Sequence, residues 1–266
     1  MTEDAAALMR TLKPARAPDG VPSLTSPPSR LDRAALFLDL DGVLAPLARR
    51  PEDVMPETRR TTLLRRLEMR FEGRIAVISG RTTAEIDRIT DRSVASVSGV
   101  HGLELRRAGG RLERADPHPA MPRALSELEA YAADRPGMII EDKLVSATLH
   151  YRQAPGFAAD ALNLARDLAR QTGLAFQPGD HVVELKTPGS TKGSALDAFM
   201  AEAPFAGSFP VMIGDDLTDE DGFRAALAHG GFGVLVGQNR ATAARYRLDD
   251  VEAVLTWLEH LSDSAA

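Results

Sequence analysis

The chain has 266 residues, of which 44% are hydrophobic and 26% charged, and its net charge is −6. This composition is typical of a folded protein with a substantial core, and its acidic balance argues against a surface that attracts nucleic acid or anionic lipid. The absence of cysteine excludes disulfides, thiolate metal sites and cysteine nucleophiles. Neither a membrane span nor a signal-peptide pattern is present, so we expect a cytoplasmic protein without membrane or nucleic-acid partners.

The N-terminal segment has a composition unlike the rest of the chain. It is rich in proline and small polar residues, with Pro14, Pro18, Pro27 and Pro28 among them. Such a segment contributes little to a hydrophobic core. We therefore predict a flexible leader over residues 1–30.

After this segment, short apolar runs alternate with patterns of helical period. Each apolar run ends at small or acidic residues, as buried parallel strands do at the edge of a sheet. The runs span residues 34–38, 75–78, 94–97, 211–213 and 233–236. Residues 58–71 and 191–201 carry apolar side chains on one helical face. The alternation predicts a Rossmann-like parallel α/β core with its ligand site beyond the carboxyl ends of the strands.

The middle of the chain has a different pattern. Long strand-like stretches cover residues 138–151 and 175–186, and each follows a helical pattern. This predicts an inserted α+β domain over residues 111–187 that covers the catalytic face. The core then consists of residues 31–110 and 188–266.

Two acidic residues, Asp39 and Asp41, follow the first apolar run and precede Gly42. Two carboxylates at the end of a buried strand are costly unless a cation compensates them. Mg²⁺ commonly sits between one or two carboxylates and a substrate phosphate. On its own, the Asp-x-Asp-Gly sequence is equally compatible with a solvated turn.

A second acidic stretch follows the run at residues 211–213. Residues 215–221 contain five acids in seven positions, which would repel one another without a metal. Placed at the same sheet edge as Asp39, this stretch strengthens the case for a metal site. The alternative is that Asp219 and its neighbours only form the acidic first turn of a helix, which the helix dipole favours.

Two further residues offer donors to a phosphate. Ser79 stands at a strand end before a helix, and Lys192 opens a helix. Either feature alone is weak, since a lysine at a helix start is usually solvated. The stretch at residues 189–194 lacks the P-loop spacing, and residues 231–233 lack the dinucleotide fingerprint, so we discount nucleotide binding.

Together, in this order, these four pieces resemble the haloacid dehalogenase superfamily of phosphotransferases. Within it, the chain resembles the trehalose-6-phosphate phosphatase family over nearly all of its length after the leader. Four segments carry this resemblance: Gly99-Val100-His101-Gly102-Leu103-Glu104, Leu149-His150-Tyr151-Arg152, Val182-Val183-Glu184-Leu185-Lys186 and Gly214-Asp215-Asp216-Leu217-Thr218-Asp219-Glu220. The resemblance implies a phosphatase that catalyses the last step of trehalose biosynthesis.

The resemblance also implies roles for the core residues. Asp39 would be the nucleophile, and Asp41 would protonate the departing sugar oxygen and later deprotonate water. Mg²⁺ would be bound by Asp39, by Asp41 chiefly through its backbone carbonyl, and by Asp215. Lys192 and Ser79 would neutralise the phosphoryl oxygens. Behind these groups, Asp216 and Asp219 would orient Lys192 or a metal-bound water.

For the sugar we select residues of the insert and of the loop before it. The candidates are Glu141, Lys143, Glu184, His101 and Glu104, because carboxylates accept hydrogen bonds from sugar hydroxyls. The alternative for Glu184 is an exposed strand face, since it alternates with apolar neighbours. Weaker candidates are Arg81 and Arg152. One departure from the family is Val43, where the first motif usually carries threonine.

Three other functions share part of this pattern. The substrate could be another sugar phosphate such as sucrose 6-phosphate, because the core motifs contact only the phosphate and the metal. A non-catalytic sugar-phosphate-binding protein is expected to lack the nucleophile, the acid or the lysine, all of which are present here. A phosphomutase would have to protect the phosphoryl group from water. We expect a monomer that binds a small sugar phosphate.

Overall fold

The computed structural model describes residues 23–48, 50–179 and 181–263. Their strands are β1 (Ala34–Leu38), β2 (Ile75–Ile78), β3 (Ser96–Gly99), β4 (Glu104–Arg106), β5 (Leu112–Arg114), β6 (Ile139–Asp142), β7 (Ser146–His150), β8 (Ala175–Gly179), β9 (Val182–Lys186), β10 (Phe209–Gly214), β11 (Phe232–Val236) and β12 (Tyr246–Leu248). Their α-helices are α1 (Thr58–Arg70), α2 (Thr83–Thr90), α3 (Met121–Ala133), α4 (Ala158–Thr172), α5 (Lys192–Met200), α6 (Asp219–Ala228) and α7 (Val251–Asp263). None of these helices combines the length and apolarity needed to cross a bilayer.

The larger sheet has the strand order β12-β11-β10-β1-β2-β3-β4-β5. Its strands are parallel from β12 to β3, and β4 and β5 continue it in antiparallel pairing. The predicted parallel α/β core is therefore confirmed. Strand β1 is central, so the residues that follow it lie between the ends of β10 and β2.

Helices cover both faces of this sheet because its central strands are apolar on both sides. In β1, Leu36 and Leu38 belong to the cluster packed by α1, α2 and α7. Ala35 and Phe37 belong to the opposite cluster, packed by α5 and α6. The Phe37 ring stacks on Phe205 with 5.4 Å between centroids. These two cores fix the strand ends that hold the functional residues.

The smaller sheet has the strand order β6-β7-β9-β8 and is antiparallel throughout. Its apolar face packs against α3 and α4 through residues such as Leu149, Val183 and Leu185. We call this sheet with α3 and α4 the cap. All of its strands and helices lie between Met121 and Lys186.

Two expectations for the insert need correction. Each long strand-like stretch is a hairpin: β6 and β7 replace the first, and β8 and β9 the second. The first turn forms because Leu144 adopts a φ of 66° and donates its N–H to Asp142 Oδ1 at 2.8 Å. In addition, β5, which we assigned to the insert, pairs with β4 at the edge of the larger sheet.

Most of the predicted leader, residues 1–22, lies outside the described residues. The remainder, residues 23–30, contacts the core. Thr25 forms a bridge with Tyr246, and Trp257 Nε1 donates to the carbonyl of Pro28 at 2.8 Å. This part of the segment is therefore held against β12 and α7.

Candidate active site

An acidic cluster lies at the carboxyl ends of the central strands. Asp39 follows β1, Asp215 follows β10, and Asp219 opens α6. Each offers one carboxylate oxygen, and these oxygens lie within 4.8 Å of one another. The two acidic stretches thus meet because β1 and β10 are adjacent and in register, with Leu38 opposite Ile213.

Two glycines allow these carboxylates to converge. A Cβ on Gly42 would lie 2.0 Å from Oδ2 of Asp215, and the φ of Gly42 is +77°. A Cβ on Gly214 would lie 2.2 Å from Cγ of Asp219. Neither position can carry a side chain without moving a carboxylate. The glycines therefore belong to the geometry of the acidic cluster.

Lys192 faces this cluster from the first turn of α5. Its side chain is 3% exposed, and Nζ lies 2.9 Å from Asp39 Oδ2 and 2.8 Å from Asp219 Oδ1. The other oxygen of Asp219 accepts the backbone N–H groups of Asp215 and Asp216, each at 3.0 Å. Asp219 therefore holds both Lys192 and the loop that carries Asp215. Its predicted part in orienting Lys192 fits this geometry.

The charges of the cluster are not balanced by the protein alone, because three carboxylates face one ammonium. Burial raises the pKa of Asp39 well above its usual range, in spite of the opposing effect of Lys192. Burial and the neighbouring Asp219 raise the pKa of Asp215 to about 7. Burial lowers the pKa of Lys192, but Asp219 and Asp39 outweigh it and raise that pKa. Oxygen ligands with excess negative charge suit a hard divalent cation.

The carboxylate of Asp41 is engaged by an arginine. Arg81 donates from Nε to Asp41 Oδ2 at 2.7 Å and from Nη2 to Oδ1 at 2.8 Å. Arg81 also donates to the carbonyl of Pro51 at 2.8 Å. Burial lowers the pKa of Arg81, but the hydrogen bonds and charge of Asp41 outweigh it and raise that pKa. The guanidinium of Arg81 therefore holds Asp41, and the substrate contact of Arg81 stays a prediction.

Ser79 and Val43 complete the surroundings of the acidic cluster. Ser79 directly follows β2, is 1% exposed, and its Oγ accepts the N–H of Arg81 at 3.3 Å. Because β2 pairs with β1, Ser79 lies at the strand end beside Asp39. Its donation to a phosphoryl oxygen stays a prediction. Val43 is fully buried in the apolar cluster under β1, so its methyl groups face the core.

A cavity of about 240 Å³ lies between these strand ends and the cap. Asp41, Arg81 and Asp216 line it from the core side. This volume is slightly below the usual range for small-molecule sites, about 300–1,000 Å³. The cavity therefore suits a single small ligand.

The face of the cap that lines the cavity is polar. Directly paired residues of neighbouring strands point to the same face. One such row crosses all four strands: Glu141, Thr148, Glu184 and Gln177. His150 and Arg152 line the cavity beside this row. Sequence reasoning missed Thr148, His150 and Gln177, although the alternation of polar and apolar residues in β7 could have indicated the first two.

Hydrogen bonds join the cap to the core around the cavity. Lys143 Nζ donates to the carbonyl of Gly80 at 3.0 Å. His101 Nε2 lies 3.0 Å from the amide of Gln177 and 3.3 Å from Glu184 Oε2. The structure therefore brings together four of the five predicted sugar contacts, Glu141, Lys143, Glu184 and His101.

Glu184 is the buried centre of this group. It is 4% exposed and accepts the hydroxyl of Ser146 at 2.7 Å. Burial acts to raise its pKa, but His101, Lys143 and Ser146 outweigh this and lower it below the usual range. Burial lowers the pKa of His101. Glu184 is thus an ionised acceptor inside the cavity rather than part of an exposed strand face.

Two predicted site residues have other contacts. Glu104 is 1% exposed, and it accepts the N–H of Thr83 at 2.7 Å and Nε of Arg114 at 2.7 Å. It therefore fixes the start of α2 and is not among the residues that line the cavity. Asp216 accepts the N–H of Leu217 at 2.6 Å and lines the cavity. The carboxylate that contacts Lys192 is that of Asp219. A role of Asp216 toward metal-bound water stays a prediction.

The parallel core, the acidic cluster with its lysine and the inserted cap define a phosphatase of the haloacid dehalogenase superfamily. A family model described as trehalose-phosphatase matches residues 37–252. The chain belongs to the trehalose-phosphatase family, which makes it a phosphoric monoester hydrolase.

Named relatives support this assignment. The trehalose-6-phosphate phosphatase of Escherichia coli (strain K12) is 38% identical over 241 residues, which cover 90% of each chain. A probable trehalose-phosphate phosphatase of Sinorhizobium fredii (strain NBRC 101917 / NGR234) is 35% identical over 209 residues, covering 78% of this chain and 79% of that protein. The chain therefore spans nearly the full length of these relatives.

A solved structure supports the fold. The C-terminal domain of trehalose-6-phosphate phosphatase from C. albicans has a TM-score of 0.79 and 21% identity, and the match covers 91% of this chain and 99% of that one. At this level of identity the similarity concerns the arrangement of core and cap.

Proposed function

We propose that this protein hydrolyses trehalose 6-phosphate to trehalose and phosphate through a phosphorylated Asp39, with Mg²⁺ as its metal. The observation that carries the proposal is the meeting of Asp39, Asp215, Asp219 and Lys192 below a cavity with a polar roof. Membership of the trehalose-phosphatase family supports the choice of sugar.

Asp39 is held in place for attack on phosphorus. Its Oδ1 accepts the N–H of Leu40 at 2.8 Å, and its Oδ2 faces Lys192. A bond forms between a carboxylate oxygen of Asp39 and phosphorus while the bond from phosphorus to the sugar oxygen breaks. Asp39, Asp215 and the backbone carbonyl of Asp41 would hold Mg²⁺, which supplies positive charge to the phosphoryl oxygens when bound. Lys192 adds a second positive charge on the same side.

Asp41 moves the proton in both steps. The departing sugar oxygen takes a proton from Asp41, and Asp41 then removes one from the water that attacks phosphorus and releases Asp39. When Asp41 carries the proton of the first step, the oxygen that bears it gives up its hydrogen bond from Arg81, and the other oxygen keeps its own, so the side chain stays in place.

The cap recognises the sugar. Glu141 and Glu184 accept hydrogen bonds from hydroxyls, and Lys143 donates to them. In the structure these groups bond to one another and to the core, as with Lys143 and Gly80. A sugar hydroxyl would replace some of these contacts, so binding is selective for ligands that offer equivalent hydrogen bonds. A monomer acting in the cytoplasm, without nucleic-acid partners, completes the proposal.

Phosphate release from a substrate panel tests this function. The panel contains trehalose 6-phosphate, sucrose 6-phosphate, glucose 6-phosphate and p-nitrophenyl phosphate, each with Mg²⁺ and with EDTA. We expect the highest kcat/KM for trehalose 6-phosphate and loss of turnover in EDTA. Preference for another sugar phosphate, or equal turnover of all members, would overturn the substrate assignment. Full activity in EDTA would overturn the metal assignment.

A further inference from the structure

The donors of Arg81 are directed at protein groups. Two of its nitrogens bond to the two oxygens of Asp41, and the third reaches the carbonyl of Pro51 and, at 3.5 Å, Glu85. The side chain is 9% exposed, against 29% for Asp41. These contacts occupy four of its five N–H donors, so a guanidinium with these partners could bind a substrate phosphate through two hydrogen bonds only by releasing a protein group. Its contacts are therefore those of a support for Asp41.

We propose that Arg81 is a positioning residue that fixes the Asp41 carboxylate toward the departing group and links it to the loop before α1. This inference rests on the proposed function, because it concerns the step in which Asp41 transfers protons. Arg81 acts through Asp41 and does not contact the reacting atoms. The sequence gives it no such role, since the two residues are 40 positions apart.

The Asp41 carboxylate has to be held in place because its side chain has a second possible orientation, toward the metal site. It lies two residues after Asp39, in a tight turn where Gly42 N–H donates to the carbonyl of Ala45 at 2.7 Å. A carboxylate here could rotate toward a cation held by Asp39 and Asp215. The fork of a guanidinium fixes both oxygens and the plane of a carboxylate, whereas an ammonium fixes only one direction. Arg81 thus keeps the side chain of Asp41 on the cavity side.

The contact with Pro51 extends this support to a loop. Leu47 and Pro51 both line the cavity. On its other side the loop is held by Arg60, a buried residue whose guanidinium donates to the carbonyls of Leu44 and Met55. Arg81 therefore holds both the cavity-lining loop, through Pro51, and the proton-transferring residue Asp41.

The test separates support of Asp41 from binding of substrate. Arg81→Met, Arg81→Lys and Arg81→Ala are compared with wild type on trehalose 6-phosphate and on p-nitrophenyl phosphate. For Arg81→Met we expect kcat on the sugar phosphate to fall by ~10²-fold or more, the usual contribution of general acid–base catalysis, with KM little changed. Arg81→Lys should recover only part of kcat.

A burst experiment makes the test sharper. p-Nitrophenolate leaves without a proton, so phosphorylation of Asp39 does not require Asp41 when p-nitrophenyl phosphate is the substrate. Arg81→Met should therefore release about one equivalent of p-nitrophenol quickly and then turn over slowly, because hydrolysis still needs the base. Added guanidinium should restore activity to Arg81→Ala but not to Arg81→Met, whose side chain fills the site.

Arg106 provides a matched control for loss of an ion pair. It makes a bidentate contact with Asp87 at 2.6 and 2.8 Å, also partly buried and on the same domain. Arg106→Met should lower the melting temperature as Arg81→Met does, but leave kcat, the burst and the response to guanidinium unchanged.

Three results would overturn the inference. The first is a rise in KM of Arg81→Met for trehalose 6-phosphate with unchanged kcat. The second is that Arg81→Met loses the p-nitrophenol burst and the steady-state turnover to the same extent, as a misfolded enzyme would. The third is that added guanidinium does not restore the activity of Arg81→Ala. If wild type does not hydrolyse trehalose 6-phosphate, the proposed function fails, while the burst with p-nitrophenyl phosphate still tests Arg81.

Discussion

The ammonium of Lys192 lies 2.9 Å from the carboxylate of Asp39, and both side chains are almost fully buried. The pair comes from opposite halves of the chain, β1 and the first turn of α5. Replacing one member of a buried ion pair usually costs about 3–5 kcal/mol, because the remaining charge is left uncompensated. Lys192 is therefore both a stabilising residue and a phosphate ligand in the proposed reaction.

Lys192→Met should lose activity by ~10²-fold or more, since a charge next to the phosphoryl group is removed. It should also be less stable than wild type in EDTA, because three carboxylates, two of them buried, then face no protein cation. Mg²⁺ should restore more stability to this variant than to wild type. Thermal unfolding in EDTA and in Mg²⁺ measures both effects, and an equal Mg²⁺ shift in the two proteins would contradict the expectation.

Asp39→Asn should abolish turnover and leave the fold intact. The amide keeps the shape of the side chain but cannot form the acyl phosphate. With p-nitrophenyl phosphate this variant should show neither burst nor turnover, which distinguishes it from Arg81→Met. Asp32→Asn, at a residue before β1 whose side chain is 74% exposed, is the control for removal of one negative charge. Near-normal activity of Asp39→Asn would exclude the covalent mechanism.

Several site residues could be predicted because they follow clear apolar runs. A run such as residues 34–38 defines a buried strand, and the polar residue after it must lie at the sheet edge. This places Asp39, Ser79 and Asp215 together without knowledge of the rest of the fold. The assignment of Lys192 to the site required the family resemblance, because a lysine at a helix start is usually exposed.

Other features depended on contacts that a linear pattern does not contain. The turn between β6 and β7 has no glycine or proline, and its positive φ falls on Leu144. Strand β5 consists of three exposed residues, so it has no apolar run. Arg81 has a local partner in Glu85, and only the pairing of β1 with β2 brings it to Asp41. Glu104 looked like a sugar ligand because its burial at the start of α2 is a tertiary effect.

Mg²⁺ should raise the melting temperature of the metal-free protein more at about pH 8 than at about pH 5, because metal ions bind deprotonated carboxylates. The folded-state pKa of Asp215 is raised to about 7, whereas an unfolded aspartate titrates near ~4. Between these values the folded state holds more protons than the unfolded state. The free energy of unfolding therefore falls as pH rises through this window, by at most roughly 1.4 kcal/mol per pH unit for this group.

Thermal unfolding of wild type and Asp215→Asn, with EDTA and with Mg²⁺, checks this linkage. In EDTA, the contribution of Asp215 to the stability of wild type should be fully present below the window and lost above it. Asp215→Asn should show a weaker pH dependence in EDTA and a much smaller Mg²⁺ shift at both pH values. A larger Mg²⁺ shift for wild type at the lower pH would contradict the assignment of Asp215 as a ligand.

Glu184→Ala should impair trehalose 6-phosphate far more than p-nitrophenyl phosphate. Its carboxylate lies on the roof of the cavity, in the row that begins at Glu141, and p-nitrophenyl phosphate has no sugar hydroxyl to donate to it. Loss of hydrogen bonds that a site is built to make can reduce kcat/KM by several orders of magnitude. Equal losses on both substrates would instead assign Glu184 a structural role, in which it joins His101 to the cap.

Gln177→Leu should reduce kcat/KM for trehalose 6-phosphate by ~10-fold or more and leave turnover of p-nitrophenyl phosphate nearly unchanged. Gln177 ends the same polar row as Glu184, and its amide lies 3.0 Å from His101 Nε2. Leucine keeps most of the volume but leaves His101 Nε2 with Glu184 alone and a sugar hydroxyl without its amide partner, at a cost of ~1–3 kcal/mol. Gln171→Leu, an exposed glutamine of α4 in the same cap, is the matched control. If both substitutions have the same small effect, the roof of the cavity does not select the sugar through Gln177.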